Sequence, residues 1–168
     1  MDPWREIAAE LAEVLGGIDG IGVVIVGHLP ELETWSEFLE QFTTETEDGD
    51  LLEGWQIVEP LGGNAVQTIG NAIGDGVVED QFTFLIRGFR AMAENPAESQ
   101  SAFRDTAWAV KKALDSKVRF TVTDPDVIHS VSWPSSGAAI MPSLFGDIEA
   151  WMTDLTKVVT LQRTLTFV

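Results

Sequence analysis

The chain is 168 residues long, 45% apolar and free of cysteine, with a formal net charge of −17. That length supports one domain, residues 1–168, which removes roughly two-thirds of the unfolded surface from water; the composition excludes wholesale disorder, disulfides and thiolate metal sites. The charge balance excludes a sequence-reading nucleic-acid binder, which needs clustered Lys and Arg to release phosphate counterions.

The opening MDPWREIAAEL has neither the basic nor the apolar region of a secretory signal, and no apolar run approaches the roughly 20 residues that span a bilayer. A cytoplasmic, reducing setting is therefore expected. Asp2 and Pro3 form a helix start, and Ile7, Leu11 and Val14 or Leu15 repeat at helical spacing until Gly16-Gly17 stops the helix. IGVVIVG, residues 21–27, is a β-branched run between glycines and predicts a buried strand.

Three stretches predict irregular insertions, about 28–50, 62–76 and 134–150. In the first, Trp35, Phe38, Leu39 and Phe42 give a short amphipathic helix, followed by TTETEDGD (43–50), expected as a solvated acidic loop. GWQIVEPL (54–61) predicts a strand closed by Pro60. The glycine-rich GGNAVQTIGNAIGDG (62–76) predicts a long excursion or a hairpin extension.

VEDQFTFLIRGFR (78–90) is the clearest strand, with Phe82, Phe84 and Ile86 on one face and Thr83, Leu85 and Arg87 on the other. Gly88 marks a bulge or a close approach. NPAESQ (95–100) reads as a connector, with Ser99 or Ser101 capping a helix lined by Phe103, Ala107, Val110 and Leu114. Lys111, Lys112 and Lys117 lie near its C-terminal end, where cations complement the dipole. VRFTV (118–122) and VIHSVSW (127–133) are strand-like around the turn Asp124-Pro125-Asp126. In the closing KVVTLQRTLTFV, Val159, Leu161, Arg163, Leu165 and Phe167 alternate with polar residues, as in a strand with one buried face. The sum is an α+β fold: a mainly antiparallel four- to five-stranded sheet packed against two helices, with long loop insertions.

Catalytic residue types are few. His28 could pair with Glu31, but a strand-end or loop histidine satisfied by backbone accounts for it; His129 lies three residues from Asp126, a spacing that in a strand points the two side chains to opposite faces and argues against a metal site. Aligning Gly49 with the invariant glycine of a calcium loop puts Thr44 and Thr46 where acids belong and Trp55 where the bidentate glutamate should be, so this is no EF-hand. No Gly-rich stretch has the spacing of a phosphate loop. No metal, cofactor or enzymatic activity is expected.

The charge is unevenly placed. Residues 1–86 hold 18 acidic side chains and one basic, Arg5; residues 87–168 hold nine of each. Of six tryptophans, most are expected in the core, with Trp4 and Trp151 as candidates for subunit contacts.

The succession of WREIAAELAEVLGGIDGI (4–21), the strand FTFLIRGFR (82–90), the helix SAFRDTAWAVKKALDSK (101–117) and the closing VVTLQRTLTFV (158–168) resembles the tail terminator proteins of long-tailed bacteriophages. The resemblance covers element order over most of the chain and carries no catalytic motif. It implies a virion protein at the head-proximal end of the tail, assembled in the host cytoplasm. Its partners would be its own copies in a ring, typically of six, the tail tube protein and a head-completion or connector protein. DNA would pass through without specific binding, and no membrane is involved. It further implies an acidic lumen or loop (Glu45, Glu47, Asp48, Asp50) and arginines, Arg87 and Arg90, at subunit contacts, although Arg87 pairing within its own sheet is an equal reading. Another neck protein or an acidic protein-binding module is the alternative.

Overall fold

A computed structural model describes residues 2–27, 35–46, 49–60, 66–69 and 76–164. His28, Glu47, Asp48 and the last residues of the alternating run, Leu165 and Phe167, lie outside them. In chain order the elements are α1 (Pro3–Gly16), β1 (Val23–Val26), α2 (Trp35–Phe42), β2 (Thr43–Thr46), β3 (Gly49–Val58) and β4 (Val66–Ile69). They continue with β5 (Val77–Ala91), α3 (Pro96–Ser116), β6 (Val127–Ser132), β7 (Ser136–Gly137), β8 (Met141–Phe145) and β9 (Ile148–Thr164).

The nine strands form one mixed sheet whose main path is β1-β3-β5-β9-β6; β2 hangs on β3, β4 on β5, and β7 and β8 on β9. Among the described residues only β1–β3 is parallel. The expected α+β class, with α1 and α3 packed on the sheet, is what the structure has. Among the described residues no helix is long and apolar enough to cross a membrane.

Period-2 alternation builds the core. Phe82, Phe84 and Ile86 of β5 lie beside Leu155, Val159 and Leu161 of β9 and Trp55 and Ile57 of β3. This face packs under Ile7, Leu11 and Leu15 of α1 and Phe103, Val110 and Leu114 of α3. A smaller cluster of Phe42, Leu52 and Phe89, with Phe145 and Ile148 against it, joins α2 to the other strands' residues. Gly88 is required by a close approach, of an indole rather than a backbone: a Cβ there would lie 2.6 Å from two Trp55 ring carbons, because Trp55 is its cross-strand partner.

Four expectations need correction. The described residues of the acidic stretch 43–50 are strand rather than loop: Thr43–Thr46 pairs with β3, Thr43 opposite Leu52 and Glu45 opposite Asp50, since three threonines supply β-branched strand formers. The stretch 134–150 is ordered by β9, against which β7 and β8 pair, and β8 turns into β9 through Gly146-Asp147, with Gly146 at φ +59°. NPAESQ is the start of α3: Asn95, not Ser99 or Ser101, is the cap, its Oδ1 accepting from the Glu98 N–H at 3.4 Å, with Pro96 in the first turn. VRFTV is no strand: the N–H groups of Phe120 and Thr121, and of Thr123 just after it, go to side chains. Thr121 donates to Glu10 at 2.7 Å, Thr123 to Glu6 at 2.9 Å, and Phe120 to the Ser130 hydroxyl at 2.8 Å.

Replacing Gly88 by Ala is expected to lower stability by about 1–3 kcal/mol, as overpacking does. Gly16→Ala, at the end of α1 with open space around the new methyl, is expected to be neutral or stabilising. Urea midpoints of the two variants check both.

Candidate functional site

The cations that break the acidic pattern are mostly committed within the chain. Arg87 and Asp154 are partners in the β5–β9 register, and the guanidinium meets the carboxylate in two parallel bonds, Nε–Oδ1 at 2.8 Å and Nη2–Oδ2 at 2.9 Å. This fork is the stronger form of ion pair, and the bonds to Asp154 push the Arg87 pKa up. Arg90 lies 3.6 Å from Glu53, its β3 partner. Glu53 is buried, and burial pushes its carboxyl pKa up against the pull of Arg90. For Arg87 the pairing within its own sheet is the arrangement present, and Arg90 also has an intrachain partner.

Two further pairs tie the halves together. Lys117 meets Glu10 at 2.6 Å, and Arg163 meets Asp80. With Arg90–Glu53, three of the five ion pairs among the described residues join a carboxylate of residues 1–86 to a cation of 87–168. Glu6 is drawn in too: hydrogen bonds from the Thr123 hydroxyl and N–H hold its pKa below the ordinary carboxylate range.

Neither tryptophan expected at a subunit contact is free. Trp4 is buried and stacked on Phe84, ring centroids 5.4 Å apart; Trp151 is half-buried, its Nε1 donating to the Ser99 hydroxyl at 3.0 Å. An aromatic in a first helical turn that faces the sheet is core, whatever its position in the chain. Among the tryptophans whose burial is described, the exposed ones are Trp108 and Trp133, 54% and 59% exposed. Helical spacing carries the signal for Trp108, one position beyond the Phe103–Ala107–Val110 stripe.

Of the acidic quartet, Glu45 lies on β2 and Asp50 on β3, while Glu47 and Asp48 fall between them outside the described residues. His129 is exposed on β6. Among the described residues no three His, Asp or Glu side chains gather as metal ligands do. The Asp124-Pro125-Asp126 turn is as expected, Asp124 Oδ1 accepting from the Asp126 N–H at 3.0 Å.

A network not anticipated from sequence surrounds the C-terminal end of α3. Lys157 stands on the apolar face of β9 between Leu155 and Val159, fully buried, and its Nζ donates to the Leu114 carbonyl at 2.7 Å. It supplies the cation that the last turn of α3 lacks. Nearby, Lys111 donates to Asp115 at 2.9 Å and to the Ser135 carbonyl at 2.6 Å, and Asp115 accepts from the Ser135 N–H and hydroxyl, each at 2.6 Å. The parity of Lys157 with Val159 and Leu161 was the available signal.

A search of protein-family models finds no match to this chain, and neither does a search of curated proteins.

Burial lowers the Lys157 pKa, opposed by Asp115 and aided by Lys111. Between that lowered value and the ordinary value of 10.5, the unfolded chain binds more protons than the folded one, so this group adds stability as pH rises through the window. Relative to Lys157→Met, wild-type stability is expected to climb as pH approaches 10.5 from below; chemical denaturation of both across that range checks the slope. A double-mutant cycle on Arg87 and Asp154, both about one-third exposed, is expected to give a coupling of about 0.5–1 kcal/mol, at the upper end for exposed pairs.

Proposed function

We propose that this chain is a structural ring subunit resembling phage tail terminators, closing the tail tube and meeting the head connector, with DNA passing through an acidic lumen. The observation that carries this reading is the charge polarity. The first half holds the entire net charge of −17, while three of the nine cations of the second half, Arg90, Lys117 and Arg163, pair with its carboxylates and lock the two halves together. Such a protein offers DNA a repulsive wall and few phosphate contacts to grip it.

Polarity of this kind also selects the mode of assembly. A two-fold interface that buries the acidic half sets like charges against each other, whereas a head-to-tail contact sets the acidic half of one copy against the less acidic half of the next. Head-to-tail contacts close into rings when their rotation allows. In this reading the paired strands β2 and β3, which carry Glu45 and Asp50, face the lumen.

The expected outcome is a closed ring with a central hole in negative-stain images, and a native mass that is a fixed multiple of the 18.4 kDa chain. DNA is not retained by that ring, and Glu45→Lys/Asp50→Lys is expected to make it retain DNA in a salt-dependent way. A chain that stays monomeric and instead captures a basic protein would favour the acidic binding module.

A further inference from the structure

Four cations among the described residues have no carboxylate partner and are not buried: Arg5, Arg104, Lys112 and Arg119. Two of them share one line on α3. Arg104, Trp108 and Lys112 follow each other at i, i+4 and i+8, which on a helix is a single stripe. All three are exposed, and the Lys112 ammonium stands 5.8 Å from the centroid of the Trp108 ring. Lys111, one position away, is turned to Asp115 and Ser135 and takes no part.

A solvated helix face ordinarily mixes charge signs at i, i+4, because each opposite pair is favourable and each like pair is not. Here the three stripe positions hold two cations and no carboxylate, with the exposed Asp105 on their flank, in a chain with 27 carboxylates and ten cations, and their centre is a large half-exposed indole. Arginine and tryptophan are the side chains that interface cores favour.

We propose that the outer face of α3 is the surface on which a second copy of this chain seats its acidic half, with Arg104, Trp108 and Lys112 as the contacts. Charge complementarity names the occupant. A nucleic acid would meet the field of a −17 protein, whereas the first half of another copy presents Glu13, Asp19 and Glu40 exposed with no cation beside them. The contact is heterologous: stripe on one copy, carboxylates on the next. Desolvated between them, the Lys112–Trp108 pair gains strength that it lacks in water. The proposal rests on the ring reading and names the surface that reading needs.

Sedimentation of the full chain over a concentration range, at low salt and at about 1 M NaCl where screening reaches about 3 Å, tests it. Wild type is expected to associate at low salt and to weaken as salt rises. Arg104→Glu/Lys112→Glu and, separately, Trp108→Ala are expected to weaken association at least tenfold, with far-ultraviolet circular dichroism unchanged; Arg5→Glu is expected to leave it as it was. If both stripe variants associate as tightly as wild type, the stripe is not the contact, and the ring reading stands without it. A wild type that remains monomeric at the highest attainable concentration overturns the stripe as a docking surface for copies. A wild-type dimer that never closes, lost in the charge-reversed variant, supports the stripe and removes the ring.

Discussion

The antiparallel ladder between β5 and β9 runs without a break from Val77 opposite Thr164 to Ala91 opposite Ala150, and the other elements take their places from it. β3 and β4 pair with β5; β6, β7 and β8 pair with β9; α1 and α3 cover the face that Phe84 and Leu155 share. Because side chains alternate with period 2, a slip of one residue would turn Phe82, Phe84 and Ile86 to the other face and put Arg87 out of reach of Asp154. The Arg87–Asp154 fork is therefore a register marker on the face opposite α1 and α3. Its energy is modest, and its two-bond geometry is satisfied in one alignment only.

The ion pairs explain why positive charge is kept for the second half of the chain. A first half with 18 carboxylates would repel itself and its surroundings. Cations placed on β5, at the end of α3 and on β9 meet carboxylates of β3, α1 and β5 across the sheet and between layers. Glu6 and Glu10 go further and act as acceptors for a segment that has the composition of a strand but no strand partner. Several acids that look like surface charge in the sequence are thus part of the chain's own framework.

Lys157 shows the same economy inside the core. A buried ammonium is expensive unless it is hydrogen-bonded, and an unmet helix C-terminal carbonyl has its own desolvation cost. Joining the two at the Leu114 carbonyl lets each relieve the other. It also ties β9 to the end of α3, close to where Asp115 holds the Ser135 turn.

Local pattern alone was enough for α1, for β5 and for the apolar stripe of α3, though not for the start of α3 at Asn95, and for the α+β class that follows from them. It was also enough to exclude thiol chemistry and to locate the acidic half. The partners were decided elsewhere. Trp4 and Trp151 were read as contacts but are held by Phe84 and Ser99, because burial depends on which layer lies above a residue. The threonines of β2 and the serine- and glycine-rich run before β9 are strands because a long neighbour offers them backbone hydrogen bonds, while VRFTV is not, the Phe120 and Thr121 N–H groups donating to the Ser130 hydroxyl and the Glu10 carboxylate instead. Residue sequence fixes side-chain periodicity, which is local; pairing, burial and the assignment of each charge to a partner are decided by contacts far apart in the chain, and only the folded sheet brings those together.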